Sequence, residues 1–457
     1  MKSDIIIIGG GAAGLMAAYH AARTAVDAGA DLQVTVLEKM PRPGRKIMIT
    51  GKGRCNFTNV KDWNGFSGHI RSKSNFVKSA FYTLPSSKVV EFFESFGMPT
   101  VIERGDRAFP ASYHSSDVVD TLVSACNSLG VKIICEAEVA DVEASAGSFK
   151  LSLSDGSSWL CRSLVIATGG LSYPATGCTG DGYRWAGATG HRIAQLFPCL
   201  TALVPEGYKL TEGRELHIHR DTPLSELGKK FCGIQLKNVQ ATLVVDGNEA
   251  QSEFGDIDFT DGGIEGPIGF QLSRKAVKSM VNGSRASISL DLKPGVTLTE
   301  VTERIKALWS EIDKDPRSRR LREKERCRIL LGKLMPWDLI PAFTETHPEI
   351  ITLERRGRTD TKVWVNLVSI AKALKDWRFD LAGHVGYERA VVTAGGVSTD
   401  DLVAKTMESR IVPGLYFCGE VVDIDSDTGG YNLQTSFATG ALAGRSSALN
   451  LLPAVEG

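Results

Sequence analysis

The N-terminal residues alternate between apolar runs and a turn of small residues. Residues 4–8 include four consecutive isoleucines, a pattern typical of a strand buried on both faces. Glycine and alanine fill 9–14, and the small apolar residues of 15–28 predict a helix. A second apolar run at 33–38 predicts another strand. Together these segments predict a βαβ unit.

The rest of the chain contains further predicted helices and strands, and strands appear again near its C-terminal end. Helices are predicted at 76–97, 116–129 and 432–451, an antiparallel meander at 131–154, and strands at 163–168, 389–394 and 414–418. Between them, short alternating strands and turns up to about Leu292 give way to a charged helical pattern. Both ends of the chain are therefore expected to meet in one sheet.

This order predicts an α/β fold whose main domain is split. Residues 1–199 and 389–457 are predicted to form a Rossmann-type dinucleotide-binding domain. An inserted β-rich domain is predicted at 200–292, with 378–388 returning to it, and a helical domain at 293–377.

Composition narrows the class of protein. The 457 residues are 42% hydrophobic and 23% charged with a net charge of +0, unlike a protein whose whole surface binds nucleic acid. Nine cysteines without a CxxC pair indicate reduced thiols and a cytoplasmic location. Three glycines interrupt the apolar segment 5–22, which argues against a membrane helix or signal peptide. His217 and His219 lack a third ligand, so no metal site is predicted.

The glycine-rich turn has the spacing GxGxxG at Gly9, Gly11 and Gly14. Its glycines allow a tight turn, close approach of a pyrophosphate to the backbone, and close packing of helix on strand. Glu38 ends the second strand, where a carboxylate accepts hydrogen bonds from a ribose. Strand, turn, helix and acid in this order predict a dinucleotide site.

Two segments near the C-terminal end favour FAD over NAD. The strand at 414–418 is followed by Gly419-Glu420 and then Asp423, carboxylates suited to the polyol chain of a ribitol. The sequence TGGYNLQ at 428–434 opens the last helix, whose backbone N–H groups suit the pyrimidine end of a flavin. A simple helix cap is the alternative interpretation of that segment.

Two further segments extend the predicted site. The sequence ATGG at 167–170 is typical of a chain crossing over FAD, with an ordinary strand–loop junction as the alternative. The loop 44–59 is rich in Gly, Lys and Arg, which suit phosphate or an anionic flavin. Cys55 lies within this loop, where Lys52 and Arg54 are expected to lower its pKa. It is either a catalytic acid or a small residue that packs against the cofactor.

A basic run occupies the middle of the predicted helical domain. Its cations are Lys314, Arg317, Arg319, Arg320, Arg322, Lys324, Arg326 and Arg328, and Arg355, Arg356 and Arg358 extend it. A solvated helix face and a contact surface for RNA or phosphate are the two interpretations.

Five of these segments together resemble the BaiN/RdsA family of FAD-dependent flavoproteins. They are GGGAAGLMAA (9–18), GRKIMITGKGRCNFTN (44–59), ATGGLSYPATGCTGDGY (167–183), TAGGVSTDDLVAKTMESRIVPGLYFCGEVVD (393–423) and TGGYNLQ (428–434). The resemblance implies a glutathione-reductase-type FAD domain with an inserted β-barrel and a helical domain.

The resemblance also implies the cofactor contacts. They are Gly9, Gly11, Ala12, Ala13, Gly14, Glu38, Lys39, Arg45, Lys46, Thr50, Gly51, Gly53, Arg54, Cys55, Asn56, Val139, Ala167, Thr168, Gly169, Gly419, Glu420, Asp423, Gly430, Tyr431, Asn432 and Leu433. Two segments depart from the family pattern. Ser426 lies where the family has a nearby glycine, and the segment FTHxGxSGP reads FTDGGIEGP at 259–267.

These features predict an FAD-dependent oxidoreductase that transfers hydride to an activated C=C bond. The resemblance implies uridine of large-subunit ribosomal RNA as one candidate substrate, and in that case Cys55 is a candidate proton donor to C5. The sequence has one GxGxxG, so NADH or NADPH is expected to bind transiently as the reductant. The alternatives are an oxygen-dependent oxidase of small amines or aminoketones, and a flavin-binding interaction protein without turnover. The sequence predicts no oligomeric state.

Overall fold

Apolar runs from distant parts of the chain pair in one parallel sheet. Its strands, in order across the sheet, are Leu415–Phe417, Ser163–Ile166, Ile5–Ile8, Val34–Leu37 and Lys132–Ile134. Every pairing is parallel, so the carboxyl ends of the strands lie at one edge. All four residues of Ile5–Ile8 are buried, as expected for a central strand covered on both faces.

The chain divides into two units, which we describe separately. The first contains Met1–Pro198 and Ala390–Gly457, and the second contains Cys199–Arg389. This computed structural model describes residues 1–145, 147–211, 215–355 and 361–453. The predicted α/β class, a Rossmann-type fold with an inserted barrel and helices, is confirmed. The predicted division into three domains stays a prediction.

Helices and small antiparallel sheets surround the parallel sheet of the first unit. The helices are Ala12–Asp27, Arg45–Met48, Trp63–Ser67, Ser74–Thr83, Ser86–Ser95, Ser115–Ser128, Asp181–Ala188 and Gly429–Leu449. The other strands are Thr58–Asn59, Thr100–Glu103, Arg107–Pro110, Val139–Ser145, Ser148–Leu153, Ser158–Cys161, Ile193–Cys199 and Val392–Val397. Short 3₁₀ helices are Thr50–Gly53, Pro174–Thr176, Thr399–Asp401 and Gly419–Val421.

The first and last long helices of this unit pack closely because small residues face each other. A Cβ atom added to Gly440 would lie 2.3 Å from the carbonyl oxygen of Ala13. One added to Gly444 would lie 1.9 Å from the carbonyl oxygen of Ala17. These glycines let the two helix backbones touch, which fixes both helix N-termini beside the sheet.

A closed antiparallel barrel forms the core of the second unit. Its strands, in order, are Leu203–Pro205, Gly263–Glu265, Asn248–Thr260, Gln235–Val245, Ala286–Asp291 and Trp377–His384. Its helices are Glu226–Phe231, Gly266–Val281, Leu298–Lys314, Glu323–Gly332, Ile340–Thr346 and Leu367–Lys375. Short 3₁₀ helices are Pro316–Arg320, Trp337–Leu339, Pro348–Ile350 and Gly386–Glu388.

Two elements of this unit differ from the sequence pattern expected for it. Gly266–Val281 is a 16-residue helix inside the β-rich region. Ile351–Arg355 and Thr361–Val365 form an antiparallel pair inside the region expected to be wholly helical. The β-branched content of both strands explains the second difference. No helix among the described residues has the length and apolarity needed to cross a membrane.

His384 makes the stability of the second unit dependent on pH. Its side chain is 5% exposed, its Nδ1 accepts from the backbone N–H of Gly386 at 3.0 Å, and burial lowers its pKa from 6.5 to about 4. Between these values the unfolded chain binds a proton that the folded chain does not. The free energy of unfolding therefore falls as the pH is lowered through this range.

We expect His384→Asn to flatten this dependence by up to about 3 kcal/mol between pH 7 and 4. The Asn oxygen can still accept from Gly386, but it does not titrate. Urea unfolding at a series of pH values measures the slope. His219→Asn is the control, because the His219 side chain is 62% exposed. Equal slopes for the His384 variant and the wild type would contradict the prediction.

Candidate functional site

A cleft of about 1140 Å³ opens at the carboxyl ends of the parallel strands in the first unit. Seventeen of the residues predicted to bind cofactor line it: Gly9, Gly11, Ala12, Ala13, Glu38, Lys39, Arg45, Lys46, Thr50, Val139, Ala167, Thr168, Gly169, Gly419, Glu420, Asn432 and Leu433. The other predicted residues do not line it: Gly14, Gly51, Gly53, Arg54, Cys55, Asn56, Asp423, Gly430 and Tyr431. Residues from both ends of the chain therefore line one cleft.

The glycine-rich turn at one side of the cleft has no room for side chains. Gly9 has φ +105°, and a Cβ atom there would lie 2.5 Å from the carbonyl oxygen of Ala167. A Cβ atom on Gly14 would lie 1.8 Å from the carbonyl oxygen of Gly9. Gly11 has no atom within 4 Å of its Cβ position, so its backbone faces open space in the cleft. The turn thus presents bare backbone to a ligand.

Two long helices begin at this cleft without a side-chain cap. The N-cap residues Gly11 and Thr428 make no side-chain capping bond, and neither helix has an acid in its first turn. Uncapped N–H groups and the positive end of the helix dipole favour an anion. The two helix N-termini fit the pyrophosphate and the pyrimidine edge of FAD, respectively.

Glu38 and Lys39 shape the end of the second strand. The Glu38 carboxylate accepts from the backbone N–H of Gly10 at 2.7 Å and of Met40 at 2.8 Å, and burial raises the pKa of this carboxyl. The Lys39 ammonium donates to Asp181 at 2.8 Å. Glu38 therefore holds the glycine-rich turn in place, besides facing the position expected for a ribose.

Lys46 and Glu420 form a half-buried ion pair in the cleft. Their N–O distance is 2.5 Å, and their side chains are 23% and 15% exposed. Glu420 also accepts from the Ser172 hydroxyl at 2.5 Å and from the backbone N–H of Thr393 at 2.8 Å. Burial by itself lowers the pKa of Lys46, but the Glu420 carboxylate together with the nearby Cys178 and Tyr173 raises this pKa overall. The pair joins the basic loop to the last strand of the sheet.

The start of the last helix is held by the predicted residues Tyr431 and Asn432 together with His69, Arg71 and Asp427, which the sequence pattern did not indicate. The Asn432 side chain accepts from the N–H of Ser426 at 3.0 Å and donates to its carbonyl at 2.9 Å. The His69 ring stacks on Tyr431 with centroids 4.1 Å apart, and its Nδ1 lies 2.9 Å from Asp427. Asp427 also accepts from the guanidinium of Arg71. These contacts fix the loop before the helix.

Cys55 lies within the basic loop 44–59, and its side chain is fully buried. Its side chain is 0% exposed, its backbone has φ +53°, and burial raises the pKa of the thiol to about 12. The prediction that neighbouring cations lower this pKa is wrong. The Arg54 guanidinium donates to Glu103 at 2.6 Å and packs over two aromatic rings. The side chain of Lys52 lies outside the described residues.

We expect Cys55 to resist alkylation in the folded protein, because burial keeps the thiol protonated and out of solvent. Cys232 is exposed and is expected to react first. Iodoacetamide at about pH 8 followed by peptide mass mapping measures both sites. Labelling in urea is the control, in which all nine thiols should react. Rapid labelling of Cys55 in the folded state would contradict this expectation.

Several residues that line the cleft were not predicted as contacts. They are Ile8, Leu37, Arg42, Gly44, Ile47, Ala137, Thr176, Gly177, Cys178, Asp181, Trp185, Val391, Val392, Gly429 and Ser436. Thr176, Gly177 and Asp181 belong to the segment that continues the ATGG sequence, and this continuity was the available signal. Nothing in the local pattern marks Trp185 or Val391, because folding alone brings them to the cleft.

The departure at 259–267 forms an ion cluster in the second unit. The Arg389 guanidinium donates to Asp261 at 2.6 Å and lies 3.1 Å from Glu265. Burial raises the pKa of Glu265. The two acids that depart from the family pattern, Asp261 and Glu265, thus share one cation. No three metal-ligating side chains group together among the described residues of either unit.

Comparison with known proteins gives one family and several relatives. The family model described as HI0933-like protein Rossmann domain matches residues 3–446. A 3-dehydro-bile acid delta(4,6)-reductase from Clostridium scindens is 30% identical over 444 residues, which cover 97% of this chain and 98% of that protein. Proteins named ribosomal RNA dihydrouridine synthase from Haemophilus influenzae and Escherichia coli are each 30% identical and match over 96% of both chains.

Proposed function

Because the chain belongs to the HI0933-like family and is an FAD-dependent oxidoreductase, we propose that it saturates the ring double bond of uridine in large-subunit ribosomal RNA. Dihydrouridine is uridine with two added hydrogens, so the reaction adds a hydride to C6 and a proton to C5. When bound and reduced by NADH or NADPH, FAD would supply the hydride. The reductase and synthase names of the relatives support this reaction class.

We propose that different residues of the cleft hold different parts of FAD. The glycine-rich turn and the N-terminus of Ala12–Asp27 would hold the pyrophosphate, and Glu38 the adenosine ribose. Glu420 would face the ribitol. The N-terminus of Gly429–Leu449 would face the flavin pyrimidine ring, where its dipole stabilises the negative charge of the reduced state.

The basic run is the observation that favours RNA over a small molecule. In 3₁₀ helix Pro316–Arg320 and helix Glu323–Gly332, the cations Arg319, Arg320 and Lys324 are exposed. Among the residues that the structure describes, no acid pairs with these three side chains. Exposed cations without an ion-pair partner suit the row of phosphates of an RNA better than they suit a small molecule. Arg356 and Arg358 lie outside the described residues.

The reductant and the location follow from this function. We infer that NADH or NADPH binds transiently, because one GxGxxG is present and the FAD cleft uses it. Ribosomal RNA as substrate places the protein in the cytoplasm. All nine cysteines are free thiols, which supports a reducing compartment.

Deletion of the gene, followed by mapping of dihydrouridine in ribosomal RNA, tests the proposed substrate. We expect one large-subunit site to lose dihydrouridine and to regain it when RNA from the deletion strain is incubated with purified protein and NADH or NADPH. An unchanged map in the deletion strain would reject ribosomal RNA as the substrate.

Cys55 as the proton donor to C5 stays a prediction. A thiol with a pKa of about 12 is a weak acid near neutral pH, which favours packing as its role. We expect Cys55→Ser to keep most of the turnover on ribosomal RNA, within about threefold of the wild type. A loss of about a hundredfold or more in this variant, with FAD still bound, would establish the catalytic role instead.

A further inference from the structure

Trp337 is an exposed aromatic side chain that the fold holds in place. It begins the 3₁₀ helix Trp337–Leu339, directly after Pro336, and is 52% exposed. Its ring lies on the α-carbon of Gly332, where an added Cβ atom would be 2.4 Å from the ring. An exposed tryptophan usually has rotational freedom, but contact with the helix backbone restricts this one. The molecule therefore presents a fixed aromatic surface to solvent.

A cation borders this aromatic surface. The guanidinium carbon of Arg328 lies 5.8 Å from the Trp337 ring centroid. Arg328 and Gly332 are four residues apart on helix Glu323–Gly332, so they approach the ring from the same side of that helix. With both contacts made, Trp337 as a whole keeps 52% of its surface exposed.

Four acids on this helix or just before it already have partners. Asp315 accepts from Arg317, while Asp313 and Glu323 pair with Arg326. The Glu325 carboxylate accepts the backbone N–H of Arg322 as a helix cap. The exposed cations Arg319, Arg320 and Lys324 described above are therefore available for an anionic partner.

We propose that Trp337 is a stacking platform for a base of single-stranded RNA, with Arg328 at the border of the ring and the exposed cations of the same basic run binding flanking phosphates. A fixed aromatic ring and a run of cations provide both parts of this recognition, since every base has a π-face and every linkage a charge. Naming RNA as the ligand rests on the proposed function. The platform itself rests on the contacts of Gly332, Arg328 and Trp337.

Binding of fluorescently labelled single-stranded RNA to the FAD-loaded protein tests the platform. The probes are a mixed-sequence RNA of about twelve nucleotides and an abasic strand with the same number of phosphates. We expect Trp337→Ala to weaken binding of the RNA about tenfold and to leave binding of the abasic strand unchanged. Arg319→Ala with Arg320→Ala should weaken both probes, because phosphates are common to both.

Gly332→Ala tests whether binding needs the Trp337 ring in its present position and not only the presence of a tryptophan. Alanine suits this helical position, but its methyl group must displace the ring, so binding of the RNA should fall while the tryptophan remains. Trp337→Phe keeps a smaller ring and should retain most of the binding. RNA should also quench Trp337 fluorescence in the wild type, and this signal should be missing in Trp337→Phe.

Matched controls isolate the two contributions. Tyr82→Ala removes an aromatic side chain that is 61% exposed in the other unit and should change neither probe. Lys229→Ala with Lys306→Ala removes two exposed charges that pair with Glu226 and Glu303, and should weaken binding less than the Arg pair. Thermal unfolding of every variant shows that each is folded.

Equal binding of the RNA by Trp337→Ala and wild type would overturn the platform, as would equal binding of the RNA and the abasic strand by wild type. Failure of the proposed function has a different signature. In that case the dihydrouridine map is unchanged in the deletion strain, while the base-dependent loss of binding in Trp337→Ala persists. Binding of neither probe by the wild type would also reject the platform.

Discussion

Replacing Gly11 by alanine is expected to leave the fold intact and to weaken FAD binding by about a hundredfold or more. Gly11 has φ −83° and ψ −169°, extended values that alanine adopts, and no atom lies within 4 Å of its Cβ position. The added methyl group would instead occupy the cleft, between the backbone N–H groups and the pyrophosphate. The flavin retained per protein after desalting measures the loss.

Two other glycines give this experiment its contrasts. Gly14→Ala should prevent folding of the first unit, because its Cβ atom would lie 1.8 Å from the carbonyl oxygen of Gly9. Gly187→Ala, in helix Asp181–Ala188 with nothing within 4 Å, should not lower the unfolding temperature and should leave the flavin content unchanged. Full flavin content in Gly11→Ala would show that the pyrophosphate of the cofactor does not lie against this turn.

Removing the ammonium group of Lys46 is expected to cost about 3 kcal/mol of unfolding free energy. In Lys46→Met the Glu420 carboxylate stays in a half-buried position and loses its charged partner. Glu420→Gln in the same protein removes the unpaired charge, so the double variant should be more stable than Lys46→Met alone. Urea unfolding of the cofactor-free protein measures each corner of this cycle.

A surface pair provides the reference for this cycle. Lys88 and Glu91 pair at 2.6 Å with side chains 60% and 58% exposed, so Lys88→Met should cost less than about 0.5 kcal/mol. If Lys46→Met were no more destabilising than Lys88→Met, the Glu420 carboxylate would not depend on Lys46, because solvent would stabilise its charge instead. If the effects of Lys46→Met and Glu420→Gln on the unfolding free energy simply summed in the double variant, the two side chains would not stabilise each other.

The sequence pattern predicted those features that neighbouring residues determine among themselves. The buried run Ile5–Ile8, the glycine spacing and the small-residue helix Ala12–Asp27 lie within a short stretch, and their order predicts a βαβ dinucleotide site. The predicted helix began at Leu15, three residues late, because the glycine-rich turn and the first helical turn share the same small residues. The Rossmann-type class followed from this local order.

Contacts between distant segments were beyond the reach of the pattern. Lys46 and Glu420 are 374 residues apart, and His69 and Asp427 are 358 apart. Each residue alone is an ordinary charged or polar residue, and only the parallel sheet brings the partners together. The pKa of Cys55 was misjudged for the same reason, since adjacency to Arg54 in sequence does not reveal that the guanidinium faces Glu103.

The sequence pattern predicted the wrong type of element where the spacing of apolar residues disagreed with the type of the surrounding elements. Helix Gly266–Val281 buries Ile268, Leu272, Ala276 and Met280, a four-residue spacing, but it follows directly on strand Gly263–Glu265 in a region of alternating residues. The pair Ile351–Arg355 and Thr361–Val365 follows a long helical stretch and consists of five residues on each side. Short strands give too few positions for a period to be recognised.

The order of strands in the parallel sheet sets the order in which the protein becomes functional during synthesis. The second unit is continuous in sequence and can fold as soon as its residues leave the ribosome. The proposed FAD cleft needs strand Leu415–Phe417 and helix Gly429–Leu449, which are translated more than 400 residues after Ile5–Ile8. Cofactor loading at this cleft would therefore follow translation of almost the whole chain, and a ribosome stalled before residue 415 would carry a protein that cannot retain flavin.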